Sequence, residues 1–182
     1  MLEPSVDDLL AKLHVGNLAF NTPDSMGYGE TRVIHLVMDG TKTVAQLEST
    51  IEEAGPKVGA EVKMADRMEA HLTGAGFEIT PITSETQPVS LKETTDWKWD
   101  VRPKAFGEQS LHLAVNALLK VDGEDATRAI QTFDKDIRVT VSWPATLIAY
   151  PQDHWEIATA IGAGVVGFGG WLFGLRKKKD KA

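Results

Sequence analysis

Between residues 15 and 143, apolar and polar side chains alternate in short runs broken by glycine, proline and aspartate. Period-two alternation is the signature of half-buried strands. Residues 15–21 predict a first strand, closed by Thr22-Pro23-Asp24, and residues 31–38 a second. Residues 61–65 and 67–73 come next, the latter with Met68, Ala70 and Leu72 inward and Arg67, Glu69 and His71 outward. After a turn at Gly74-Ala75-Gly76 comes 77–82. In 96–102, Trp97, Trp99 and Val101 share one face, and Lys98, Asp100 and Arg102 the other. Pro103 through Gly107 reads as a turn. Residues 109–121 align Leu111, Leu113, Val115, Ala117 and Leu119, and Asp122-Gly123 is a hairpin signal. The last long strand, 128–143, is expected to end with Ile137, Val139, Val141 and Trp143 inward.

The period changes to that of a helix in two places. Residues 43–54 place Val44, Leu47 and Ile51 on one face, open on a Thr43/Gln46 capping box and stop at Gly55-Pro56. This helix is expected across one end or edge of the sheet. A shorter one over 5–13 would be capped by Ser5, with Asp8 at the capping-box position. The chain therefore divides into an N-terminal helical segment (1–14), a β domain (15–143), a linker (144–154), a membrane segment (155–176) and a basic tail (177–182). Seven or eight strands with one internal helix predict an immunoglobulin-like β-sandwich. With no cysteine in the chain, it lacks the disulfide framework of antibody domains.

Ile157 to Leu175 are nineteen consecutive residues without formal charge, bounded by Glu156 and Arg176. As a helix they would measure roughly 28 Å, against about 30 Å of hydrocarbon core. Trp155 and Trp171 lie near the two ends, where indoles favour the headgroup boundary, and Arg176, Lys177, Lys178 and Lys179 form the stop. The expectation is a single-pass, tail-anchored membrane protein whose first partner is the lipid bilayer. Gly170 and Gly174 form a GxxxG pair, which Ala163 and Gly167 extend, so self-association through the helix is a further expectation. Acidic residues at 3, 7 and 8 do not resemble a signal peptide, which favours a cytosolic domain. The basic tail argues for the opposite sidedness.

Charge narrows the partners. Five of the 19 basic residues lie at 176–181, and two of the 26 acidic ones, Glu156 and Asp180, lie beyond 155. Residues 1–155 thus carry 14 basic against 24 acidic side chains, a balance that phosphate backbones repel, so no nucleic-acid partner is expected. His35, His71 and His112 fall in strands but match no zinc spacing, and read as isolated surface histidines. Glu52-Glu53 and Asp122-Glu124-Asp125 lack calcium-loop spacing, and no glycine run forms a phosphate loop. No nucleophile motif is present, so neither cofactor nor metal nor enzymatic activity is expected. Trp97 and Trp99 read as core side chains between sheets, with a partner-binding aromatic surface as the alternative.

Four stretches carry a resemblance: Phe20-Asn-Thr-Pro-Asp-Ser-Met26, Gly29-Glu30, Arg67-Met-Glu-Ala-His-Leu-Thr-Gly74, and Asp96-Trp-Lys-Trp-Asp-Val101 with Pro103 and Gly107. Over about residues 15–175 the chain resembles a bacterial module, a β-sandwich closed by a tryptophan-containing C-terminal membrane helix. That module occurs alone or fused to signalling and effector domains, including caspase-like ones. The resemblance implies a bacterial membrane protein in signalling or defence, and it transfers no activity and no catalytic residue.

Three functions fit. The first is a non-enzymatic, membrane-tethered module that recruits or regulates a partner protein. The second is an oligomerising effector whose glycine-rich helices permeabilise the membrane. The third is a ligand sensor.

Overall fold

The computed structural model describes residues 11, 13–120 and 127–143. These form two five-stranded sheets. In sheet 1 the order is β4 (Lys57–Met64), β1 (His14–Asn21), β3 (Arg32–Asp39), β8 (Thr95–Pro103) and β6 (Phe77–Pro81), with every pair antiparallel. In sheet 2 it is β2 (Ser25–Gly27), β10 (Thr127–Ser142), β9 (Gly107–Lys120), β5 (Arg67–Thr73) and β7 (Thr86–Pro88). Here β2 runs parallel to β10 and the rest are antiparallel.

The inward sets of the two sheets make one core. Leu18, Phe20, Ile34, Leu36, Met38, Trp97, Trp99 and Val101 come from sheet 1, and Met68, Ala70, Leu72, Leu111, Leu113, Val115, Ala117, Ile137, Val139 and Val141 from sheet 2. The fold is mainly β, with the sheets packed face to face as a sandwich. Trp97 and Trp99 lie at its centre, 0% and 1% exposed. Trp97 Nε1 donates to the Glu85 carbonyl (2.9 Å), whereas Trp99 Nε1 is buried without a partner.

Among the described residues ten strands stand where seven or eight were expected. The additions are β2 and β7, three residues each at sheet edges, too short to show alternation. The strand expected over 61–65 begins four residues earlier, because β4 pairs with β1 along its whole length despite Gly59-Ala60. Near the middle of β10 a bulge between Gln131 and Phe133 displaces Thr132, whose hydroxyl donates to the Val115 carbonyl (3.2 Å).

The internal helix is shorter than its pattern, and it lies across a face rather than an end. Its α-helical part, α1, is Val44–Glu48, opened by the reciprocal capping box: the Gln46 N–H donates to Thr43 Oγ1 (3.3 Å) and the Thr43 N–H to Gln46 Oε1 (2.9 Å). The Ser49 and Thr50 hydroxyls then donate back to the Gln46 and Leu47 carbonyls (2.6 and 2.7 Å). Such bonds compete with the helical ladder, and the chain tightens into turns instead. Leu47 and Ile51 pack on Ala19 and Val37, which point outward from sheet 1. Small residues make room: a Cβ on Gly59, beside Ala19 in register, would overlap Val44. Gly55, with φ of 105°, turns the chain back so closely that a Cβ would meet the Thr22 carbonyl at 2.8 Å.

No helix among the described residues is long and apolar enough to cross a membrane. Apart from residues 11 and 13, the expected helix over 5–13 lies outside the described residues, as do the linker, the membrane segment with Trp155, Trp171 and Arg176 to Lys179, and the small-residue positions Ala163, Gly167, Gly170 and Gly174.

Candidate functional site

The outer face of sheet 1 holds a polar cluster, built where α1 and the turns after it lean over β3 and β8. Asn21 fixes the frame. It is 2% exposed, donates to the Val33 and Ala54 carbonyls (3.0 and 3.1 Å) and accepts from the His35 N–H (2.7 Å). Every hydrogen-bonding direction of that amide except one lone pair is used, so β1, β3 and the turn at 54 are pinned together.

His35 stands beside it, its side chain 9% exposed. Its Nδ1 lies 2.8 Å from Glu53 Oε2, and Lys98 Nζ is 3.7 Å from the other oxygen. Burial pushes the Glu53 carboxyl up, but His35 and Lys98 outweigh it and the net shift is downward. An ionised Glu53 only accepts, which assigns the proton on this hydrogen bond to Nδ1. His35 Nε2 then has no partner, because the nearest carboxylate, Asp96 Oδ2, is 3.8 Å away. The expectation of isolated surface histidines fails here: residues 50–54 fold over a strand position that alternation alone marks as solvent-facing.

At the far end of the face, Asp39 is 1% exposed. Burial alone would raise its pKa. The Thr41 N–H (2.7 Å), the Thr94 hydroxyl (2.8 Å), the Lys42 N–H (3.0 Å) and the Thr41 hydroxyl (2.9 Å) hold it down, to about 2. Lys42 Nζ donates to Thr94 Oγ1 (2.6 Å), so that hydroxyl both receives and donates.

Between the two lies a shallow groove of about 280 Å³, lined in part by His35, Lys42, Thr94, Asp96 and Lys98. Lys42 and Lys98 share its lining with Asp96, and each lysine also has a carboxylate beside the groove, Asp39 at 3.9 Å and Glu53 at 3.7 Å. The Thr50 and Thr94 hydroxyls are committed to the Leu47 carbonyl and to Asp39, and neither is aligned on His35.

The other two strand histidines also sit between pairs of acids, on the outer face of sheet 2. His71 is 3.2 Å from Glu69 and 3.3 Å from Glu85, and His112 is 2.9 Å from Asp136 and 3.9 Å from Asp134. Both rings are about two-fifths exposed. Among the described residues no three His, Asp or Glu side chains are grouped to hold a metal ion.

Trp97 and Trp99 offer no surface to a partner, which removes the binding-surface alternative for that pair. The exposed aromatics are elsewhere. Tyr28, Phe106 and Trp143 stack at one end of the sandwich, with ring centroids 4.2 Å apart at 21° and 4.0 Å apart at 6°. Trp143 was expected to point inward, but β10 ends at Ser142 and the ring turns out onto Phe106, 57% exposed. Sequence reasoning missed this column because each ring sits in a separate turn or strand end, where no period links them.

No protein-family model matches the chain, and no curated protein matches it. Among solved structures, the chain is similar to a cohesin module of a family 33 glycoside hydrolase from Clostridium perfringens ATCC13124. The two share 11% identity at a TM-score of 0.33, over 71% of this chain and 99% of that one. The class defined by the described residues is a mainly β, two-sheet module. A likeness of that size adds nothing about what it binds.

Proposed function

We propose that the chain is a membrane-tethered, non-enzymatic interaction module. The observation that carries this reading is the run of nineteen uncharged residues from Ile157 to Leu175, stopped by Arg176-Lys177-Lys178-Lys179, close behind the last strand. The polar groove around His35, Lys42, Asp96 and Lys98 supplies a surface for a protein partner, and tethering raises that partner's effective concentration at the membrane. Within sandwiches we assign the immunoglobulin-like type, because the chain changes sheet between β1 and β2 and β2 runs parallel to the final strand. The resemblance of residues 20–30, 67–74 and 96–107 to a bacterial module supports a role in bacterial signalling or defence.

The test is alkaline carbonate extraction of membranes carrying the full chain. The expected result is retention in the pellet, and release of a Val165→Arg/Val166→Arg variant, since each central arginine costs about 2.5–3.5 kcal/mol of insertion. Release of the unmodified chain would sink the proposal. The pattern of Ala163, Gly167, Gly170 and Gly174 favours a second reading, in which clustered helices permeabilise the bilayer. Replacing 157–175 with an unrelated membrane helix separates the two: a tether keeps its function and a pore former loses it.

A further inference from the structure

The column of Tyr28, Phe106 and Trp143 is unlike the rest of the surface. Among the described residues, large hydrophobics that are well exposed are few: Val15, Tyr28, Ile82 and Trp143. Two of those four belong to this one stack. Its base is rigid. The Tyr28 N–H donates to the Ser142 carbonyl (3.0 Å) and the Gly29 N–H to the Pro103 carbonyl (3.3 Å). Arg102 Nε donates to the Gly29 carbonyl (3.1 Å), and Gln109 Nε2 to the Phe106 carbonyl (2.8 Å). Glu30 accepts from the Gly27 N–H and from Arg32 (both 2.8 Å), closing the turn that carries Tyr28. Three aromatic rings are therefore held in fixed positions with their outer parts in solvent, at a hydration cost that packing inside the sandwich would have avoided.

Position along the chain names the occupant. Trp143 directly follows β10, so the polypeptide leaves the sandwich through the third ring of the stack. Residues 144–156 then lead to the uncharged segment, a reach of at most about 45 Å. That connecting sequence holds Leu147, Ile148, Tyr150 and Trp155, with formal charge only at Asp153 and Glu156. Tyrosine and tryptophan favour the headgroup boundary, where the ring is apolar and its tip stays wet. Arg102 and Lys104, both exposed at the same end, suit lipid phosphates.

We infer that the Tyr28–Phe106–Trp143 end of the sandwich rests in the headgroup region of the bilayer, so that the domain is seated on the membrane rather than swinging on its linker. This rests on the tethering reading above. It leaves the opposite end, with Asp39, Lys92 and Glu93, pointing away from the lipid and open to partners.

The chain has no cysteine, so a single introduced one is a unique attachment point. Full chain carrying Lys104→Cys or Glu93→Cys takes a nitroxide and is reconstituted into phosphatidylcholine vesicles. Oxygen, which concentrates in lipid, and a water-soluble nickel chelate then report depth by power-saturation electron paramagnetic resonance. The expected result is a several-fold higher oxygen-to-nickel accessibility ratio at 104 than at 93. A Tyr28→Ser/Trp143→Ser background should bring the two ratios together while the chain stays with the vesicles.

Equal aqueous ratios at both sites in unmodified, vesicle-bound chain would overturn the seating and leave the tether standing. Shielding of position 104 from both reagents would also overturn it, since that reports a second protein copy on the rings. Failure to stay with floated vesicles would overturn the tether and the seating together.

Discussion

The outer faces of the two sheets present the same motif, a histidine between two carboxylates, under opposite conditions. On sheet 1, His35 is roofed by the turns after α1, and Glu53 reaches it from a segment eighteen residues away in sequence. On sheet 2, His71 and His112 are about two-fifths exposed, with acids from their own strand, a neighbouring strand or the turn before β7. The motif alone therefore says little about a role. What differs is the cover, an apolar cluster of Ala19, Val37, Leu47 and Ile51 that turns part of one sheet's outer face into a second small core. Exclusion of water makes each polar bond beneath it costly to leave unmade, whereas the pairs on sheet 2 remain exchangeable with solvent.

The sharpest way to break that contrast is to remove the roof. Leu47 is fully buried, so Leu47→Ala is expected to cost about 2–5 kcal/mol, read as a shift of the chemical-denaturation midpoint. A loss under about 0.5 kcal/mol would mean that the helix merely rests on the sheet, and the two faces would be equivalent after all.

Asp39 comes next. Its folded pKa of about 2 lies below the ordinary 3.8, so its contribution is fully present above about pH 4 and is lost as pH falls from there through 2. The shift corresponds to about 2 kcal/mol at neutral pH. Asp39→Asn should remove about that much at pH 7 and flatten the decline of stability between pH 4 and 2. Denaturation curves at both pH values provide the check, and an unchanged slope in the variant would show that other groups set the acid limit.

How far the faces could be read in advance follows from the range of the forces involved. The inward sets of 67–73, 96–102 and 109–119 were legible, because each side chain's direction is fixed by its immediate neighbours. The capping box at Thr43 and Gln46 was legible for the same reason. The burial of His35 was not, because it depends on Glu53 and on a roof whose placement needs Ala19 and Gly59 to be small. The aromatic column was equally hidden. Trp97 and Trp99 alternate along one strand, while Tyr28, Phe106 and Trp143 meet only because two turns and the end of β10 converge. Alternation thus found the tryptophans that hold the sandwich together and wrongly set Trp143, which is on its surface, among the inward side chains.

The smallest expected effect is also the most direct comparison of the two histidine settings. Glu53 and Asp136 each approach a histidine Nδ1, at 2.8 and 2.9 Å, but their side chains are 21% and 74% exposed. Glu53→Ala removes the acceptor of a ring nitrogen that has little water to replace it, and about 1–2 kcal/mol of stability should go with it. Asp136→Ala strips an exposed pair whose histidine is rehydrated at once, so a change within about 0.5 kcal/mol is expected. If the two substitutions cost the same, cover is not what distinguishes the faces, and His35 would have to be counted with the solvated histidines of sheet 2.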